Sequence, residues 1–191
     1  MATAKEMVIQ LSAVCGGDMS EFRTVDKYLA DGDLRRRAAG RQRLDATRRE
    51  ALRLLLGVMG APVKSRPVQY VKDVQKFGLS YVDADDAKVV KRALGMTPDE
   101  MRNTDLLDVL DNLSLLLADR RSGSSHAAEF GPRVWLEVEQ GGHVSIQFDG
   151  DEGRGEAIFI GAVDFVSTDL KRTATVSDVT LAWIGANGVA D

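Results

Sequence analysis

At 191 residues, with 44% hydrophobic and 28% charged residues and only four prolines, the chain has the composition of one folded domain or of one domain with a small appendage. It is too short for a large multidomain enzyme, and its single cysteine, Cys15, has no partner for an internal disulfide, as expected of a protein kept in a reducing compartment. The longest strongly apolar stretch, "LLDVLDNLSLLLA" at 106–118, is interrupted by aspartate and asparagine and is too short to span a bilayer. The amino terminus is weak as a secretory signal, so the expected location is inside a cell, in the cytoplasm or in a particle assembled there.

In chain order, residues 1–17 are ambiguous: "EMVIQLSAV" reads equally as an amphipathic helix and as a strand. From about residue 18 to 121 the apolar spacing is helical. "LDATRREALRLLLGVM" places Leu44, Ala51, Leu52, Leu55 and Met59 on one face and Arg49 and Arg53 on another, with Gly57, Gly60 and Pro62 as its stop. "SRPVQYVKDVQKFG" predicts a helix entered at Pro67, repeating Tyr70, Val74, Phe77 and Tyr81, with Gly78 as a terminator. Asp83 and Asp86 open "DADDAKVVKRALG", which Gly95 closes. "TPDE" at 97–100 has the form of a capping box, and the segment from Pro98 to Arg120 carries Leu106, Leu110, Leu113 and Leu117 with an expected break near Asn103.

Residues 122–132, small and polar, read as a linker, after which the apolar period changes to two. "RVWLEVEQGGHVSIQFD" sets Val134, Leu136 and Val138, then Val144, Ile146 and Phe148, on one face around a Gly141-Gly142 hairpin turn. "EAIFIGAVDFV" and "ATVSDVTLAWIG" predict two further strands. The expected fold is α+β: an amino-terminal helical bundle over 1–121 and a small antiparallel sheet within 133–191, packed on those helices or on another subunit.

Charge divides the chain more sharply than the total of −4 suggests. Between Arg23 and Arg92 there are 17 Lys+Arg against 9 Asp+Glu, a net of +8; the rest holds 8 against 20, a net of −12. Within the basic part, "DLRRRAAGRQRLDATRREALR" at 33–53 contains eight arginines and three acids. Asp45 can pair with Arg41 and Arg49 at spacings of four, but Arg49 and Arg53 are like charges at the same spacing, so a compensator outside that helix is expected.

The expected partner-binding residues are Arg35, Arg36, Arg37, Arg41, Arg43, Arg48, Arg49, Arg53, Lys64 and Arg66, with Arg23, Lys27, Lys72 and Lys76 extending the surface. The compensator is either RNA or DNA, whose phosphates suit the planar guanidinium, or acidic surfaces of a second copy in a homo-oligomer. Contact of the basic helix with an anionic membrane surface is left open.

Catalytic signals are weak. His126 and His143 have no metal-ligand spacing, "DGDEGRGE" at 149–156 departs from an EF-hand loop, and neither a nucleophile elbow nor a phosphate-binding glycine loop is present. No catalytic residue, metal or cofactor is expected. The sequence points to a non-enzymatic assembly protein, coat-, matrix- or nucleocapsid-like. The alternatives are a nucleic-acid-binding regulator or adaptor and, after that, a small enzyme of unknown class.

Overall fold

The computed structural model describes residues 3–37, 44–63, 66–84, 86–122, 132–140, 142–161 and 173–190. Their elements in order are α1 (Ala4–Cys15), α2 (Met19–Asp31), α3 (Arg48–Gly60), α4 (Pro67–Val74), β1 (Gly78–Ala84), α5 (Ala87–Leu94), α6 (Pro98–Arg102), α7 (Leu106–Ser122), β2 (Arg133–Glu139), β3 (Val144–Gly150), β4 (Gly153–Ile160), β5 (Thr173–Ser177) and α8 (Asp178–Asn187).

Local chemistry starts most of the helices. Thr3 with Glu6, Thr47 with Glu50 and Thr97 with Glu100 form three capping boxes, at α1, α3 and α6. Asp18 and Asp86 cap α2 and α5 through their carboxylates. Gly16 and Gly95 leave α1 and α5 in the left-handed conformation, at φ 65° and 79°, where a Cβ is disfavoured.

The strands form one antiparallel sheet in the order β1-β4-β3-β2-β5. Alternation then sorts the side chains: Val134, Leu136, Val138, Val144, Ile146, Phe148, Ala157 and Phe159 are all buried on the face against the helices. They join Phe22, Leu29, Leu52, Leu55, Leu56, Leu110 and Leu113 in a single apolar core. The outer face carries Trp135, Glu137 and Glu139 of β2, Gln147 and Asp149 of β3, Arg154, Glu156 and Ile158 of β4, and Tyr81 and Asp83 of β1.

The α+β architecture with helices preceding the sheet agrees with the expectation. The β2–β3 hairpin has the expected face, the "TPDE" cap is formed, and α6 gives way to α7 after Asn103. Residues 123–131 of the expected linker lie outside the described residues.

Four boundaries differ. The ambiguous amino terminus is helix α1. Leu44 lies ahead of α3, because Thr47 caps the helix and Arg48 is its first residue. The helix entered at Pro67 ends at Val74; Gly78 begins a strand, Tyr81 lies in it, and Asp83 is a strand residue, not a helix opener. The register shift between Leu79 and Tyr81 turns Leu79 and Val82 toward the core although they are three apart, so β1 imitates a helical period. Finally, "ATVSDVTLAWIG" is a strand only to Ser177, and helix α8 follows. Gly185 makes that helix fit, since a Cβ there would lie 2.0 Å from the Ser114 carbonyl oxygen on α7. The two halves of the sequence therefore share structure: β1 completes the sheet of the carboxy-terminal strands, and α8 packs on α7.

Candidate interaction surface: the arginine block

The block enters the fold through a sharp exit from α2. Gly32 stands where a Cβ would meet Val68 Cγ1 at 2.5 Å, and Asp33 takes a left-handed φ of 60° before Leu34 is buried. The chain is thereby turned back along α2, and three consecutive arginines meet carboxylates already in place.

Arg35 Nε lies 2.5 Å from Asp26 Oδ1, and its Nη2 donates to Oδ2 at 2.9 Å. Arg37 donates through Nε to the Ala30 carbonyl at 2.9 Å and pairs with Asp31. Arg36 donates its backbone N–H to Glu50 Oε1 at 2.7 Å, its Nε to the same oxygen at 3.1 Å, and its Nη2 to the Asp45 carbonyl at 2.9 Å. Glu50 is 5% exposed, and it also accepts from the Thr47 N–H at 2.9 Å, so one carboxylate both starts α3 and anchors the arginine segment.

These environments shift the two acids in opposite senses. Burial pushes Glu50 up, but the bonds from Arg36 and Thr47 together outweigh it and leave the carboxyl below its ordinary value. At Asp26 burial outweighs Arg35, and nearby Glu50 adds to it, so the carboxyl is raised.

The arginines of α3 face the other way. Arg48 Nε donates to Asp111 Oδ1 at 2.8 Å, Arg49 pairs with Asp108, and Arg53 donates to Gln75 Oε1 at 3.0 Å and to the Leu34 carbonyl at 3.3 Å. Asp108 and Asp111 stand three apart on α7, one above the other on the same stripe. Of the like-charge pair, Arg49 is compensated within the chain by Asp108, some sixty residues on and a source the sequence did not disclose, while Arg53 donates to the neutral Gln75 and Leu34 oxygens.

Of the remaining expected residues, Arg41, Arg43 and Lys64 lie outside the described residues, and Arg66 is exposed at the entry to α4. Lys27 and Lys72 are exposed, and Lys76 borders a small hollow with Arg49 and Arg53.

What the structure does bring together is a groove of about 700 Å³ between α1, α2, the arginines 35–37 and Leu44. Its described lining carries Lys5, Arg23, Arg35, Arg36 and Arg37 against two carboxylates, Glu6 and Asp26, together with the apolar Ala4, Val8, Ile9 and Leu44. Among the described residues neither Lys5 nor Arg23 has an ion-pair partner. Lys5 was missed by sequence reasoning, for it stands thirty residues before the block, and only the packing of α1 on α2 makes it a neighbour.

Chemically the groove can hold carboxylate or phosphate oxygens on its guanidinium forks, beside apolar side chains. Among the described residues no three His, Cys, Asp or Glu side chains gather as they would around a metal ion. Cys15 is half-buried elsewhere, 3.9 Å from Thr180 Oγ1, and burial raises its thiol above the ordinary value. Among the described residues no helix is long and apolar enough to cross a membrane. In comparisons with protein families, curated proteins and solved structures, nothing matches this chain.

Proposed function

We propose that the protein is a non-enzymatic assembly protein, coat-, matrix- or nucleocapsid-like, whose arginine-lined groove receives a polyanion or the acidic surface of a partner. The observation that carries this reading is the groove's unbalanced charge among the described residues, five cations against two carboxylates, with Lys5 and Arg23 having no ion-pair partner there. The arginines paired inside the chain contribute less than the sequence suggested. Arg36 and Arg37 still offer exposed guanidinium edges at the rim, at 52% and 60% side-chain exposure. The Arg37–Asp31 pair, exposed on both sides, is worth at most about 1 kcal/mol, so an incoming anion can share or replace Asp31, whereas Arg36 keeps its buried partner Glu50 and offers only its outer edge.

Mass measurement in solution at low and high salt, with and without nucleic acid, tests the proposal. Growth of the protein's own mass at low salt supports self-assembly, and a complex that forms only with RNA or DNA moves the reading to the nucleic-acid-binding regulator or adaptor. A monomer under all four conditions overturns it.

A further inference from the structure

We infer that the occupant of the arginine groove is the outer β1–β4 edge of a second copy of this chain, so that the protein associates head to tail. This rests on the assembly reading and names its interface.

The groove argues first against nucleic acid as its occupant. Phosphates need cations but no apolar lining, and among the described residues no aromatic side chain lines this groove for base stacking. Four apolar residues lining the groove beside its cations fit a protein surface that combines exposed apolar side chains with carboxylates.

Such a surface exists on the same chain. Tyr81 and Ile160 are 56% and 51% exposed, and among the large apolar side chains described only Val63 is also more than half exposed. The register puts Tyr81 opposite Ile158 and Asp83 opposite Glu156 on the outer face, with Ile160 two residues beyond Ile158 on the same face. An apolar cluster of Tyr81, Ile158 and Ile160 therefore adjoins the carboxylates Asp83 and Glu156, across the edge strand β1 and its neighbour β4. Across that outer face the acids Asp83, Glu137, Glu139, Asp149 and Glu156 outnumber Arg133 and Arg154. Edge strands with exposed apolar side chains are a common site of association.

Both surfaces pair the same two ingredients with opposite charge: an apolar patch with arginine and lysine on one, an apolar patch with aspartate and glutamate on the other. No residue belongs to both, so one copy can offer both at once, and the contact is heterologous, closing into a ring or extending as a filament.

Two doubly substituted variants, each at exposed positions, test this: Lys5→Gln with Arg23→Gln in the groove, and Tyr81→Ser with Asp83→Asn at the edge. Light scattering on the wild-type chain and on each variant is read against concentration at low salt, with thermal unfolding as the control for folding. Each variant is expected to raise the concentration needed for assembly at least about tenfold. The decisive arm is their equimolar mixture. The edge variant keeps an intact groove and the groove variant keeps an intact edge, so the mixture forms a dimer that cannot grow. Wild-type assembly that neither variant disturbs overturns the interface and leaves the assembly reading standing, whereas a wild-type chain that stays monomeric overturns both. A groove variant that loses RNA binding while assembling like the wild type gives the groove to nucleic acid, and a mixture that stays monomeric also refutes the inference.

Discussion

Arg48 and Arg36 stand twelve residues apart in one basic stretch, yet the fold gives them opposite tasks. Arg48 is clamped to Asp111 with side-chain exposures of 15% and 19%, whereas Arg36 anchors one edge of its guanidinium on Glu50 and leaves half the side chain at the rim of an open groove. The difference teaches that a run of arginines is not one surface. Arg48 is held between two packed helices and Arg35 is as enclosed beside Asp26, whereas Arg36 and Arg37 in the same segment keep more than half of the side chain exposed.

The comparison breaks most visibly at the clamp. Arg48→Ala is expected to cost about 2 kcal/mol in denaturant unfolding, less than the cost of orphaning a fully buried charge because water still reaches the pair. A double-mutant cycle with Asp111→Ala should recover part of that loss, and a cost below about 0.5 kcal/mol would show that the clamp is ornamental.

Glu50 comes next, since it joins the two regions. Its folded carboxyl lies below the ordinary value, so its contribution to stability is fully present above the unfolded-state value and is lost as pH falls through the folded one. Glu50→Gln should cost about 1 to 2 kcal/mol at pH 7 and flatten the loss of stability on acidification. Asp26 works in the opposite sense: its raised carboxyl favours the folded state at low pH, and that contribution disappears as pH rises through the folded value. Urea titrations between pH 3 and 7 on the wild type, Glu50→Gln and Asp26→Asn separate the two; equal slopes in all three would contradict both assignments.

A smaller effect is expected from Arg49→Gln with Arg53→Gln. The Arg49–Asp108 pair is more than a third exposed on both sides, so screening limits the loss to about 1 kcal/mol, and assembly should be unchanged. The least effect on stability belongs to Lys5→Gln with Arg23→Gln, within about 0.5 kcal/mol, because neither residue has an ion-pair partner to lose among the described residues. That variant should instead be the most damaging of the set to association, and an unfolding midpoint shifted as far as that of Arg48→Ala would erase the distinction between the two regions.

Sequence reasoning succeeded where the cause of structure is local. The capping box at Thr97 depends on residues three apart, and the β2–β3 hairpin depends on strict alternation about a turn; both are written in consecutive residues. A second such signal, "TRRE" at 47–50, was available in the sequence and would have placed the start of α3 correctly. The strand β1 was hidden because its irregular register spaces Leu79 and Val82 like helix positions, and α8 because "VTLAWIG" is apolar on every side and suits either state.

By itself, then, the sequence determined the α+β class, the capped helices, the hairpin and the segregation of positive from negative charge, all properties of neighbours along the chain. Only the tertiary structure decided which arginines are spent on aspartates about sixty residues away, that Lys5 joins Arg23 and Arg35 around one groove, and that β1 completes a sheet begun more than fifty residues later. The physical reason is the same in each case: an ion pair or a ladder between distant segments forms only after the core has fixed the geometry that brings its partners together, and no local pattern encodes that placement.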